Sequence, residues 1–286
     1  MKALLRGWSR SRRERAVTRL DAEILQRARL VADAALERDT LVVAPHPDDE
    51  TLGCGGTIAK LRALGARVDV VVCTDGSRSH RHLMSAQELR TRRAEEVVRA
   101  CAVLGVDAAH VHRLGIGDGE LASHEAPAAR AIAEILAAGT FARVVLPFRN
   151  DGVADHEAAH RAGITAMSLA RRGRGGDGGC DSGCEVWEYP IWLWNHWPFG
   201  DDPGYGIVGR VQAWRRHRVA VRSLRRIDLA VPIADRLPHK RAALAEHATQ
   251  TVRLDGNPDW RVLADVADGA WLRRLLDAKE YFATHP

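Results

Sequence analysis

Ten residues constrain this chain more than any others: Leu41-Val42-Val43-Ala44-Pro45-His46-Pro47-Asp48-Asp49-Glu50. An apolar run long enough for a buried strand ends abruptly in one imidazole and three consecutive acids. Glycines follow at once in Thr51-Leu52-Gly53-Cys54-Gly55-Gly56-Thr57, which reads as a turn that starts a helix. In open α/β sheets the carboxyl edge of a parallel strand is where ligands bind. Three adjacent carboxylates repel one another unless a cation or hydrogen-bond donors neutralise them. Histidine beside carboxylates points to zinc or another divalent transition metal.

The rest of the chain supplies the sheet that this strand needs. Strands are expected at Thr40–Ala44, Val68–Cys73, Ala109–Arg113 and Arg143–Pro147. Helices are expected over roughly 56–64, 85–104, 127–138 and 156–171, the first stopped by Gly65 as a glycine just past a helix end does. That β-α-β-α-β-α-β-α order predicts an α/β fold: a Rossmann-like, doubly wound, mostly parallel sheet flanked by helices. A further strand is read at Val186–Trp194. Residues 219–224 and 227–231 alternate like a C-terminal β-hairpin, and helices are expected at 240–247 and 269–282. Residues 1–38, with Leu20, Ile24, Leu25, Ala28 and Val31 at helical spacing, read as an N-terminal helical extension that serves as a cap or oligomer contact. Residues 39–286 read as one domain.

Composition closes off several classes. With 286 residues and 46% hydrophobic content, the chain can bury a sizeable core. The net charge of +5 is mild and concentrated in 6–29 and 210–226, which fits a solvated basic surface. No nucleic-acid motif accompanies it. The apolar scrap Ala3-Leu4-Leu5 is too short for a signal sequence, and no run approaches a membrane span. A cytoplasmic location is the expectation. Five cysteines, an odd number in a large chain, argue against a disulfide framework. Cys180 and Cys184 lie in a Gly-rich loop with no second pair to complete a zinc site.

The acids at 48–50 need partners, and Asp155-His156 after the fourth strand stands on the same sheet edge. If both strands are parallel, the two loops face one crevice. His46, Asp49 and His156 then form a His-Asp-His set with positions left open for water and substrate, as in catalytic rather than structural zinc sites. Asp48 would lie beside the metal, placed to take a proton from water. A helix start stabilised by the macrodipole accounts for the acids alone. It leaves Asp155-His156 unexplained.

These residues resemble the zinc-dependent de-N-acetylase family, which includes the LmbE-like proteins, the N-acetylglucosaminyl-phosphatidylinositol deacetylases and the mycothiol and bacillithiol pathway deacetylases. Pro45-His46-Pro47-Asp48-Asp49-Glu50 carries the resemblance with the later Asp155-His156. Thr74-Asp75-Gly76, Arg93-x-x-Glu96, Glu188-Tyr189-Pro190, Lys240 to Ala245 with His247, and Glu280-Tyr281-Phe282 are fainter echoes. The resemblance implies one zinc ion per chain held by His46, Asp49 and His156, with Asp48 as general base. The substrate implied is a small amino-sugar conjugate that loses its N-acetyl group. Glu50, Arg93, Asp75, Asp151, Trp197 and His247 are the substrate-side candidates. A homo-oligomer is compatible with it, and a nucleic-acid partner is not expected.

One departure stands out. Relatives read His-Pro-Asp-His where this chain has Val153-Ala154-Asp155-His156, and losing an imidazole that stabilises an oxyanion or acts as acid costs on the order of 10²–10⁴ in rate. Three explanations stay open: His160, one helical turn on, supplies the imidazole; His196 or His247 reaches in; or the reaction has changed. The last admits a zinc hydrolase or hydratase of a non-sugar substrate, or a non-catalytic sugar- or metal-binding protein. Three acids before Gly53 would repel a pyrophosphate, which argues against a nucleotide-binding site. Trp192, Trp194 and Trp197 are the aromatic platforms expected for a sugar-stacking lid.

Overall fold

A computed structural model describes residues 2–173, 183–196 and 218–285 of the chain. Eight strands form one sheet in the order β1-β7-β8-β6-β5-β2-β3-β4. They are β1 (Arg29–Leu30), β2 (Thr40–Ala44), β3 (Val68–Thr74), β4 (Val111–Ile116), β5 (Arg143–Pro147), β6 (Glu185–Tyr189), β7 (Leu229–Pro232) and β8 (Lys279–Thr284). Strands β2 to β6 pair in parallel, and β8 runs antiparallel between β6 and β7. The helices are α1 (Lys2–Arg27), α2 (Asp49–Ala63), α3 (Ala86–Val103), α4 (Glu125–Ala138), α5 (Ala154–Gly173), α6 (218–224), α7 (Leu237–Glu246), α8 (Ala248–Thr251) and α9 (Ala270–Leu275).

Every residue of β2, β3 and β5 is buried, because helices cover both faces. Side chains alternate across each strand. Val42 and Ala44 of β2 enter one apolar cluster with Ile24, Ile58, Val97 and Leu104. Leu41 and Val43 enter the other, with Ile132, Leu136, Ala158 and Ala162. Each fully buried Val, Leu or Ile contributes about 1.5–3 kcal/mol relative to exposure, so these two layers hold the sheet edge that carries the acids. Chain order around β2 reverses: β3 and β4 lie to one side, β5 and β6 to the other. The loops leaving β2 and β5 therefore diverge from a common crevice, the place where doubly wound sheets bind ligands.

The N-terminal stretch joins this framework. Leu20, Ile24, Ala28 and Val31 are buried, Leu25 is 46% exposed, and β1 pairs in parallel with β7. Three expectations need correction. The glycines after Glu50 do not precede the helix but lie inside it, since α2 begins at Asp49. Residues 218–224 form a helix rather than the first arm of a β-hairpin. A short apolar stretch fits both periods, and Ala220 and Leu224, one helical turn apart, are the buried pair while Val219 is exposed. The expected helix over 269–282 stops at Leu275, and Lys279–Thr284 enters the sheet as β8. The free slot between β6 and β7 outweighs local helical spacing there.

Candidate metal centre

Helix α2 places the acids, and its sequence explains how. Asp48 caps it at φ 145°, a conformation rarely adopted by residues with a side chain. The strain is held by hydrogen bonds: Thr51 and Leu52 N–H donate to the Asp48 carbonyl, and Asp48 N–H donates to Glu50 Oε2 at 3.0 Å. The helix then kinks at Cys54. Gly53 lies so close to Tyr189 that a Cβ would sit 2.1 Å from its ring, and the Tyr189 hydroxyl donates to the Val43 carbonyl at 2.8 Å. Glycine is needed there for helix, aromatic ring and strand to meet. The kink frees backbone groups that a buried ion pair satisfies. Glu280 accepts from Gly56 N–H, Thr57 N–H and the Thr57 hydroxyl at 2.6–2.9 Å, and Lys240 donates to the Leu52 carbonyl and to Glu280 at 2.9 and 2.7 Å.

At the crevice, His46 Nδ1 lies 3.1 Å from Asp49 Oδ2, and His156 Nε2 lies 3.2 Å from the same oxygen. The two imidazole centroids are 5.3 Å apart. His46, Asp49 and His156 thus offer one ligand atom each within 4.8 Å of one another. The outer nitrogens face further acids. His156 Nδ1 stands 2.9 Å from Asp151 Oδ2, and His46 Nε2 stands 3.3 Å from Asp155 Oδ2 and 3.5 Å from Asp118 Oδ1. A carboxylate behind an imidazole is the usual partner of a metal-binding histidine. Both nitrogens of fully buried His156 lack a hydrogen bond of good geometry despite these neighbours, an arrangement that a cation at Nε2 would complete.

Charge in the cluster is strongly perturbed. Burial drives Asp48 up to about 7, with Arg93 opposing and Asp49 adding to the rise. Burial would also raise Asp49, but His156 and His46 outweigh it and hold the carboxylate well below its ordinary range. Burial disfavours charge on both imidazoles. Hydrogen bonds to Asp118, Asp155 and Asp49 nevertheless raise His46 well above the usual value, and Asp49 and Asp151 raise His156 to about 9. The site therefore favours positive charge on its nitrogens, the demand that a divalent ion meets in exchange for protons.

The cluster opens on a cavity of about 320 Å³ that His46, Asp48, Asp49, Arg93, Asp118 and Val153 help to line. Arg93, not its exposed neighbour Arg92, is the arginine here. It is 2% exposed and donates to the Pro47 and Gly76 carbonyls and to Asp48 Oδ2, at 2.7–3.2 Å. Other candidates are placed elsewhere. Glu50 and His247, both fully buried, pair with each other at 3.0 Å behind Asp48. Asp151 holds His156 and accepts from the N–H groups of Ile191, Trp192 and Leu193. Asp75 binds Arg90 at 2.8 Å. His160 turns to Glu188 at 3.2 Å, grouped with His285 and Arg149, so it does not fill the place left by Val153. Trp194 is packed in the core, whereas Trp192 lines the cavity against Trp271. Trp197 lies outside the described residues. Asp118 and Trp271 were missed in the sequence. The loop 115–120 at the same sheet edge was the available signal for Asp118.

Cys54, Cys73 and Cys101 are free and buried. Against the expectation from cysteine count, Cys184 is disulfide-bonded, and Cys180 lies outside the described residues. Among the described residues, no helix is long and apolar enough to cross a membrane.

Residues 41–167, which include His46, Asp48, Asp49, Arg93 and His156, match the family described as GlcNAc-PI de-N-acetylase, PIG-L. A diacetylchitobiose deacetylase of Thermococcus kodakarensis is 35% identical over 137 residues, covering 46% of this chain and 50% of that protein. The match thus spans half the length of that relative. A 1D-myo-inositol 2-acetamido-2-deoxy-alpha-D-glucopyranoside deacetylase of Thermomonospora curvata is 29% identical over 289 residues, covering 84% of this chain and 91% of that protein. Among solved structures, N,N'-diacetylchitobiose deacetylase from Pyrococcus horikoshii superposes with a TM-score of 0.58 at 19% identity. That likeness covers 87% of this chain and 84% of the other, and at such identity it speaks for the fold. Motif, sheet and sequence matches agree: segment 41–167, rather less than half of the chain, is similar to the PIG-L, or LmbE-like, family.

Proposed function

We propose that this chain is a zinc-dependent N-deacetylase that hydrolyses the acetamide of an N-acetylglucosamine-type conjugate. The observation that carries the reading is the convergence of His46 Nδ1 and His156 Nε2 on one oxygen of Asp49, with His156 fully buried and Asp151 behind its Nδ1. Two nitrogens and one carboxylate suit zinc, and a cavity on one side leaves room for water and substrate. A bound zinc ion supplies Lewis acidity toward a carbonyl oxygen and lowers the pKa of water in its reach to about 7.

The chain's own residues do the rest. His46, Asp49 and His156 hold the ion. Asp151 fixes the His156 ring through Nδ1, and Asp155 with Asp118 fixes His46 through Nε2. Asp48 faces the cavity one residue from the ligand Asp49. It takes a proton from the attacking water and returns it to the amine as the C–N bond breaks, so one water and one amide become acetate and a free amine. Arg93 holds Asp48 in position from behind. Val153 brings no proton donor to the cavity, and His160 and His247 are bound to other carboxylates. His196, whose Nε2 lies 3.3 Å from where a Cβ on Gly152 would stand, does not line the cavity, so Asp48 is assigned both transfers.

Acetate release from N-acetylglucosaminides, with metal content measured in the same samples, tests the reading. Zinc-dependent release is expected from the native chain. Asp48→Asn should keep the metal and lose turnover. One equivalent of zinc without acetate from any amino sugar would overturn the assignment.

A further inference from the structure

The cavity beside the acids has an apolar wall. Leu52, Val153, Trp192, Leu263, Val266 and Trp271 line it, coming from α2, the loop after β5, the segment after β6 and the region before and within α9. Trp192 and Trp271 stack with centroids 4.9 Å apart, and the Trp271 indole N–H is spent on the Ile191 carbonyl at 2.9 Å. Trp271 is fully buried and backs Trp192, which with Val153, Leu263 and Val266 is the partly exposed apolar surface of the cavity.

Much of the polar lining is engaged elsewhere. Arg93 spends its donors on Pro47, Gly76 and Asp48. Ser79 bonds the His80 ring, whose other nitrogen meets the Arg261 carbonyl at 2.7 Å. The His80 ring also stacks on Trp260. Arg261 itself is exposed. A sugar hydroxyl pressed against the wall would lose water without gaining a partner, which is unfavourable. A methylene placed there is favoured.

We propose that this cavity takes an apolar group attached to the amino sugar, either an N-acyl chain longer than acetyl or an alkyl or aryl aglycone. The proposal rests on the deacylase reading above and narrows its substrate class. Each methylene buried against the wall should raise kcat/KM about four-fold, the ratio that corresponds to transfer of one CH₂ from water.

Two substrate series separate the sources. One lengthens the N-acyl group from acetyl to hexanoyl on a methyl glucosaminide. The other keeps N-acetyl and lengthens the aglycone from methyl to hexyl. Zinc-loaded protein should show a rising kcat/KM in one series, and Leu263→Ser and Val266→Ser should flatten that rise. Hydrolysis of the methyl N-acetyl compound with no rise in either series would overturn the proposal and leave the deacetylase reading standing. Tryptophan quenching by the same compounds gives a readout without turnover, with Trp192→Phe identifying the wall's signal. Quenching that tightens with chain length in the absence of hydrolysis would support the ligand class and sink the reaction. Quenching indifferent to length would sink the ligand class as well.

Discussion

Two buried charge clusters lie on the same helix and treat their charges in opposite ways. Beneath the kink of α2, Lys240 and Glu280 are 1% and 3% exposed and every bond is made: four donors reach Glu280, and Lys240 also meets the Leu52 carbonyl. At the helix start, Asp48 is held at positive φ, Asp49 is shared by two imidazoles, and both nitrogens of buried His156 face carboxylates without a hydrogen bond of good geometry. The first cluster balances its charge from within the fold. The second gathers two imidazoles around one carboxylate oxygen, an arrangement that a cation from outside would complete. A native chain tolerates strain and unmet polar groups chiefly where they serve binding or chemistry, so the contrast separates scaffold from site without reference to any relative.

The contrast breaks most sharply at Asp48. In Asp48→Asn, acetate release should fall about 10²–10⁴-fold, the range for loss of a general base, while zinc stoichiometry and the denaturation midpoint hold. A variant that retains native turnover would remove Asp48 from the chemistry.

The scaffold cluster should answer in the other currency. Lys240→Met leaves Glu280 buried and uncompensated, which costs about 3–5 kcal/mol, a large share of the roughly 5–15 kcal/mol that stabilises a domain. Urea unfolding measures it. Lys240→Met combined with Glu280→Gln should recover part of the loss. A change below about 1 kcal/mol for the single variant, small against that expected cost, would mean that the pair does not brace the kink.

Between these extremes stands Asp151, which does not line the cavity beside the acids but orients His156. Asp151→Asn keeps an oxygen for the N–H groups of residues 191–193 and loses the charge behind the imidazole. Zinc affinity, read by chelator competition, should fall about 10–100-fold. Unchanged affinity would show that the ring is oriented by packing alone.

The sequence carried the strand, the acids and the crevice because each depends on local pattern plus one rule of parallel sheets. Leu41–Ala44 and Val144–Pro147 are uninterrupted apolar runs, and that is how strands buried on both faces read. His46 and Asp49 are three residues apart, and His156 follows from the same edge. What was not legible depended on partners distant in sequence. Residues 218–224 and 279–284 are short and fit either period, so the slot beside β6 and the packing of Leu224 decided them. His160 sits one turn from His156, yet Glu188 and His285, brought by β6 and the chain end, draw it away. Spacing along a helix says which face a residue shares. It does not say what lies opposite.

Glu188 gives the gentlest test of the comparison, because its cluster is intermediate: buried, charged and fully partnered, but with Arg149 21% exposed. Burial alone would raise its pKa, but hydrogen bonds from His160, Arg149 and His285 outweigh burial and bring it from 4.5 down to about 2. A carboxylate lowered by folding contributes stability that is complete above its unfolded value and is lost as pH falls through its folded value. The contribution of Glu188 should thus be whole above pH 4.5 and fade between there and about 2. In urea unfolding across that window, the native chain should lose stability faster than Glu188→Gln, and the two curves should converge at the acid end. Parallel curves would mean that Glu188 keeps an ordinary pKa in the fold. His160 would then be free of the carboxylate that holds it, and would return as a candidate for the imidazole that Val153 replaces.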